Sequence, residues 1–164
     1  MEKIGIFYGS TTGRTQEIAE AIAEKLGNCD LIDVSNAKKD DIAKYSNLIL
    51  ASSTYGDGDL QSDWEDFAGT LNADDFSEKV VAIVGLGDQD GYADTFCDCI
   101  GLLAELAKNA TLIGKTANKG YDFSESKGVK DGEFLGLAID DDNQSDLTAE
   151  RVEKWVESIK GQFK

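Results

Sequence analysis

Neither proline nor histidine occurs anywhere in the 164 residues. Without histidine, the usual general base near neutral pH is missing, and with it the hydroxyl- and thiol-based triads. Without proline, every turn must be made by Gly, Asp, Asn and Ser. Cysteine is scarce. Cys29, Cys97 and Cys99 make no disulfide framework, and the last two lack both CxxC spacing and any histidine to complete a zinc site. They read as small residues of a core or helix surface. No segment approaches the roughly 18 apolar residues that would cross a bilayer. Met1-Glu2-Lys3 opens onto a short apolar run without a small-residue cleavage site, so no signal peptide is read and a cytoplasmic location is expected. Positive charge is short as well: 16 basic against 32 acidic residues leave a formal net charge of −16. Nucleic acid and anionic membrane would be repelled, whereas a basic protein face would be attracted.

What is present is 41% hydrophobic residues, enough at this length for one soluble domain spanning 1–164 with a sizeable core. No linker, repeat or low-complexity tail divides it, and nothing demands more than a monomer. Short β-type runs alternate with helical patterns, the mark of a parallel sheet with helices on both faces. Strands are expected at Ile4–Tyr8, Leu31–Val34, Asn47–Ala51 and Val80–Leu86. A fifth starts at Thr111–Ile113, is interrupted by ANKGYDFSESKGVKDGE and resumes at Phe134–Ile139. Ile18, Ala19, Ile22, Ala23 and Leu26 recur at helical spacing before Gly27, and a short helix covers Asp40 to Lys44. Ser62 and Glu65 form a capping box before Trp64, Phe67 and Leu71. Further helices run through Phe96, Ile100, Leu103 and Leu106, and from Thr148 to Lys160. The expected fold is a doubly wound five-stranded parallel sheet.

In such sheets, ligands bind beyond the carboxyl ends of the strands. Three loops leave the first, third and fourth strands there. GSTTGRT (Gly9–Thr15) places Ser10, Thr11, Thr12 and Thr15 at a helix N-terminus, where free N–H groups and partial positive charge attract a phosphate. Gly13 allows close backbone approach. The loop has neither the lysine of GxxxxGK[ST] nor the GxGxxG spacing, so it suits one terminal phosphate rather than ATP or a dinucleotide. A hydroxyl-rich helix cap without ligand is the plainer reading. The second loop, Ser53-Thr54-Tyr55-Gly56-Asp57-Gly58, sets one large aromatic among small residues, and its Gly56–Asp57 peptide could take two orientations. The third holds Leu86, Gly87 and Asp88 and ends in Tyr92. Two tyrosines could clamp a planar ring while a carboxylate accepts a ring N–H, which together with the phosphate loop describes a flavin mononucleotide (FMN) site. An ordinary tyrosine-bearing acidic turn is the plainer alternative for each of these two loops.

The residues STTGRT, LQSDWEDF, GLGDQDGYADTF and IDDDNQSDLT resemble the flavodoxins in their long-chain form, over nearly the whole chain. The resemblance implies strand order 2-1-3-4-5, with the interruption of the fifth strand as the long-chain insertion, ordinarily an exposed loop. It implies FMN phosphate on Ser10, Thr11, Thr12, Gly13, Arg14 and Thr15, with the Arg14 side chain turned to solvent. Tyr92 stacks on the outer ring face, and Tyr55 stands where many members carry tryptophan on the inner face. Asp88 lies near the ring N3–H, and Asp142 touches the ribityl chain. The Gly56–Asp57 carbonyl turns toward flavin N5 when one electron and one proton arrive. The protein then shuttles single electrons between semiquinone and hydroquinone and is not itself a catalyst. Implied partners are enzymes of the flavodoxin/ferredoxin–NADP reductase and pyruvate oxidoreductase type. Carboxylates such as Asp57, Asp59, Asp88, Asp90 and Asp94 oppose the second electron. One charge at ~10 Å contributes about 0.4 kcal/mol in water and about four times that at an effective dielectric constant near 20.

An FMN-dependent NAD(P)H:quinone oxidoreductase on the same fold is the alternative. It would need a basic pocket for a nicotinamide phosphate, and the only notable basic group is Lys119, Lys127 and Lys130 in the insertion. A phosphorelay receiver is excluded. It needs an acidic pair after the first strand, where Gly9-Ser10-Thr11 stands, and an aspartate ending the third, where Ala51-Ser52-Ser53 stands.

Overall fold

The computed structural model describes residues 1–164. Its central sheet holds strands β1 (Ile4–Tyr8), β2 (Cys29–Asp33), β3 (Asn47–Tyr55) and β4 (Val80–Leu86), with β5 (Thr111–Ile113) and β6 (Leu137–Ile139). The spatial order is β2-β1-β3-β4, and both β5 and β6 pair in parallel with β4 on its outer edge. Ile113 faces Ala82 and Leu137 faces Val84, so the two short strands act as one interrupted fifth strand. The expected order 2-1-3-4-5 therefore holds. Helices α1 (Arg14–Leu26), α2 (Lys39–Ala43), α3 (Ser62–Ala68), α4 (Asp98–Leu106) and α5 (Ser145–Ile159) connect and cover the strands.

Alternation along each strand sends neighbouring residues to opposite faces. Ile4, Ile6 and Tyr8 of β1, Ile49 of β3 and Val84 of β4 join Ile18 and Ile22 of α1 and Val152, Trp155 and Ile159 of α5 in one core. Phe7, Leu48, Leu50 and Ile83 join Trp64 and Phe67 of α3 and Ile100 and Leu103 of α4 in the other. The insertion between β5 and β6 is more ordered than an exposed loop. Thr116–Ala117, Val129–Lys130 and Glu133–Phe134 form a small antiparallel sheet, and Phe134 is fully buried against Phe96.

Several boundaries differ from the sequence expectation. β3 continues to Tyr55, because Thr54 and Tyr55 pair with Leu60 and Asp59 in a hairpin. β2 begins at Cys29, and Val34 belongs to a 3₁₀ turn capped by Asp33. The Ser62/Glu65 capping box is absent. Gln61 is the N-cap, its Oε1 accepting from Trp64 N at 3.1 Å, so Ser62 is already helical. Phe96 precedes α4, whose N-cap is Cys97 with φ 51°. α5 starts at Ser145, three residues before Thr148.

The cysteines are structural. Burial pushes the Cys99 thiol up to about 12 and that of Cys97 well above its usual range, and half-buried Cys29 rises to about 11. Because the thiolate is the nucleophile, none of the three is ionised near pH 8. A chromogenic disulfide reagent at pH 8 is expected to label no thiol quickly in the native protein and all three once denaturant is added. Rapid native labelling of Cys97 or Cys99 would contradict this packing.

Candidate functional site

The carboxyl ends of β1, β3, β4 and β6 meet at one edge of the sheet. Between them lies a cavity of about 370 Å³ lined by Thr12, Arg14, Ser53, Thr54, Tyr55, Gly56, Leu86, Gly87, Asp88, Tyr92, Asp141 and Asp142. All but Asp141 are residues the sequence singled out. A volume near 400 Å³ lies within the range of small-molecule sites, roughly 300–1,000 Å³.

At one end stands the amino terminus of α1, a helix of 13 residues. Helix geometry leaves the N–H groups of Arg14, Thr15 and Gln16 without intrahelical acceptors. Gly13 sits before them at φ 93°, with nothing within 4 Å of where a side chain would begin. Its own N–H donates to Ser10 Oγ at 3.0 Å, which folds the loop over the helix end. Thr11 Oγ1 accepts from the buried Gln61 amide at 3.1 Å. Thr15 does not reach the cavity wall. It is buried, and its hydroxyl shares a 2.7 Å hydrogen bond with Ser53 Oγ, tying the first loop to the second. The Arg14 side chain is half exposed and pairs with Asp141, which also accepts from Thr148 Oγ1 at 2.8 Å.

The other end is aromatic. Tyr55 is 37% and Tyr92 56% exposed, two of the few large apolar groups left open on the surface. Tyr55 begins a tight turn that Gly58 N closes onto Tyr55 O at 3.2 Å. Within it Gly56 has φ 55° while Asp57 keeps an ordinary φ, the pattern of a type II′ turn. Asp57 is exposed outside the cavity, and Gly58 is buried beneath the turn.

Asp88 has a structural task as well. Its Oδ1 accepts from Gly91 N at 2.8 Å, Asp90 N at 3.0 Å and Asn143 Nδ2 at 2.7 Å. These bonds, led by that from Gly91, hold its carboxyl below the usual aspartate range. A lowered value means that ordering of the Asp88–Tyr92 loop is complete above the unfolded value of ~3.9 and is lost as pH falls through the folded one. The Gly91 amide resonance is accordingly expected to stay put between pH 7 and 5 and to titrate with a midpoint under the normal aspartate value. A midpoint above that value would refute the network.

Two residues essential to this geometry gave no signal in the sequence. Asp140, fully buried after β6, accepts at Oδ2 from Gln89 N (3.1 Å) and Nε2 (2.7 Å), and at Oδ1 from the Asp142 and Asn143 amides (3.2 and 3.0 Å). Gln89 Oε1 in turn accepts from Asp122 N at 2.6 Å, so the insertion is fastened to the same knot. Gln61 is the counterpart on the phosphate-loop side. Its Nε2 donates to Asp63 as well as to Thr11, while its Oε1 caps α3. The GDL and IDDD stretches mark turns at these points, but nothing local shows which side chain is buried.

The chain as a whole matches a family of known proteins. The flavodoxin family profile covers residues 6–155. The chain is a member of the flavodoxin family. It is 50% identical over 163 residues to a flavodoxin of Helicobacter pylori, covering 99% of both chains. It is likewise 50% identical over 167 residues to that of Synechocystis, covering 98% of this chain and 97% of the relative. Among solved structures, the Fusobacterium nucleatum flavodoxin bound to flavin mononucleotide superposes with a TM-score of 0.94 at 35% identity, covering 100% of each chain. These relatives do not favour the quinone oxidoreductase alternative.

Proposed function

We propose that this flavodoxin binds FMN without a covalent bond and carries electrons one at a time between redox enzymes, the whole chain acting as one FMN-binding unit. The observation that carries the reading is the convergence of three chemically distinct loops on one cavity. Phosphate donors lie at one end and two exposed tyrosines at the other. FMN supplies the redox chemistry, and the chain's residues bind it, orient it and set the field around it.

The residues fit the group. The N–H groups of Arg14, Thr15 and Gln16 with the hydroxyls of Ser10, Thr11 and Thr12 suit one dianionic phosphate without a lysine, because helix-terminal donors and partial charge act together. Gly13 leaves room for it. Thr15 contributes its backbone N–H, and its hydroxyl ties the loop to Ser53. Arg14, held by Asp141, closes the rim between the phosphate loop and Asp142, the proposed ribityl contact. Tyr92 and Tyr55 cover the ring faces, and Leu86, Gly87 and Asp88 form its edge. The three bonds on Asp88 Oδ1 leave Oδ2 as the oxygen for a ring N–H.

The Gly56–Asp57 peptide is the movable part. Turning its carbonyl over converts a type II′ turn into type I′, which demands positive φ at Asp57. Aspartate tolerates that conformation better than most residues. The chain carries no helix long and apolar enough to cross a membrane, and its −16 charge suits basic docking faces on cytoplasmic reductase or oxidoreductase partners. As a monomer it would expose both tyrosines to such a face.

The test is titration of the protein with FMN followed by stepwise anaerobic reduction. Tight binding with quenched flavin fluorescence and two resolved one-electron stages is expected. A single two-electron stage would favour enzymatic two-electron chemistry, and absence of binding would remove the flavin reading of all three loops.

A further inference from the structure

The insertion meets the flavin loop through one buried carboxylate. Asp98, the first residue of α4, is 2% exposed, and no lysine or arginine pairs with it. Its Oδ1 accepts the backbone N–H of Lys127 in the insertion at 2.7 Å. Its Oδ2 lies under the turn after β3: a Cβ on Gly58 would stand 2.4 Å from it. Only a glycine at 58 lets the carboxylate sit this close beneath the turn. The carbonyl of Lys127 is pressed against the same helix, since a Cβ on Gly101 would fall 2.2 Å from that oxygen. Ser124 and Glu125 add amide bonds to Ala93 O at 2.9 and 3.0 Å. The strap is thus seated on α4 by both peptide groups of one residue. Asp98 bridges from there to the turn that holds Gly56 and Asp57.

We infer that Asp98 is a positioning residue for the flavin loop, joining the insertion to the Tyr55–Gly58 turn so that seating of the strap at Lys127 sets the stability of that turn. The idea rests on the proposed flavin role of the turn for its functional meaning, but its geometry stands without FMN. A buried carboxylate held by a backbone N–H on one side and close-packed against a glycine on the other keeps its place only while that donor stays. Lifting the strap takes the Lys127 N–H away and leaves the carboxylate free to draw water or shift, and the glycine above it loses its fixed floor. The insertion then does more than cover Phe134. It sets how readily the turn changes conformation.

The first variant displaces the strap without altering charge, and none of the three touches a residue that lines the cavity. Gly101→Ala improves helix propensity but drives a methyl into the Lys127 carbonyl. Amide hydrogen exchange is followed on the full chain, with and without FMN, at Lys127 and at Gly58. In Gly101→Ala and in Asp98→Ala, both amides are expected to exchange at least tenfold faster than in the parent. Asp98→Asn, whose side-chain carbonyl still accepts from Lys127, is expected to stay within threefold. The FMN dissociation constant should rise at least threefold in the first two variants and less in the third. Faster exchange at Lys127 with parent-like exchange at Gly58 in both Gly101→Ala and Asp98→Ala overturns the coupling. A parent chain that failed to bind FMN would instead remove the flavin reading, and the exchange comparison would still decide the inference.

Discussion

Replacing Gly9 by alanine is expected to cost the protein about 3 kcal/mol of stability and to weaken FMN binding by tenfold or more. A Cβ at this position would stand 2.2 Å from Gln61 Oε1 and 2.7 Å from Trp64 Cδ1. Overpacking of a filled core typically costs about 1–3 kcal/mol. Here relief is blocked, because the obstructing atoms are both engaged. Gln61 Oε1 caps α3 through Trp64 N, and the Trp64 indole N–H donates to Ala51 O at 2.7 Å. If Gln61 moves, α3 loses its cap and Thr11 loses its partner, each in a buried or half-buried setting where an unmet polar group costs a further ~1–3 kcal/mol. For a chain of this size, 1 kcal/mol corresponds to roughly 2–4 °C of melting temperature. Thermal unfolding of the apoprotein, measured beside an FMN fluorescence titration, reads both consequences. A melting temperature within 2 °C of the parent would show that the Gly9–Gln61–Trp64 packing is slack.

The same glycine shows how far the sequence could be read. Its place after an apolar strand and before a helical run located the phosphate loop at once, because strand, turn and helix periodicities are local properties. The hydroxyls of Ser10 to Thr12 and the two tyrosines were legible for a similar reason: an unusual residue set stands at the end of a strand. What could not be read was the wiring between loops. Gln61 reaches Thr11 across fifty positions, and Asp140 reaches Gln89 across fifty-one. No periodicity or propensity encodes such pairs. Read from the sequence, β3 ends at Ala51 because Ser52, Ser53 and Thr54 are polar, although their backbone remains extended by pairing with β4 and with the hairpin at Leu60. The supposed cap at Ser62 failed because a glutamine one residue earlier, though a weaker N-cap by type, has a longer side chain that reaches both Thr11 and Trp64 N. Thr15 reads from the sequence as a hydroxyl donor to the ligand. In the structure it is buried, and its hydroxyl shares a hydrogen bond with Ser53.

The second large effect belongs to Asp140. Its carboxylate is fully buried and accepts from the backbones of Gln89, Asp142 and Asn143 and from the Gln89 and Asn143 amides, so both oxygens are occupied by donors from the 80s and 140s loops. Alanine at this position removes every acceptor together and leaves the buried Gln89 donors without partners. With the Gln89 backbone and side-chain donors both unmet, the loss expected is about 3 kcal/mol. Asp140→Asn is a different insult. It keeps the shape but turns one acceptor into a donor that faces the Gln89 and Asn143 amides, so part of the loss remains. The order expected in melting temperature is therefore parent, then asparagine, then alanine, with the alanine variant down by roughly 10 °C at 2–4 °C per kcal/mol. The functional effect should exceed the thermal one. Asn143 also bonds Asp88, and Gln89 also holds Asp122 of the insertion. Asp140 is thus the one group that fixes the Asp88–Tyr92 loop, the Asp141–Asp142 rim and the insertion relative to one another. Loosening it should free Tyr92 from its place over the cavity while the phosphate loop, anchored separately by Gln61 and Ser53, stays formed. In the alanine variant FMN should bind at least tenfold more weakly and inorganic phosphate should compete with it as well as in the parent. Unchanged FMN affinity at a lowered melting temperature would show that the aromatic end of the cavity does not depend on this carboxylate.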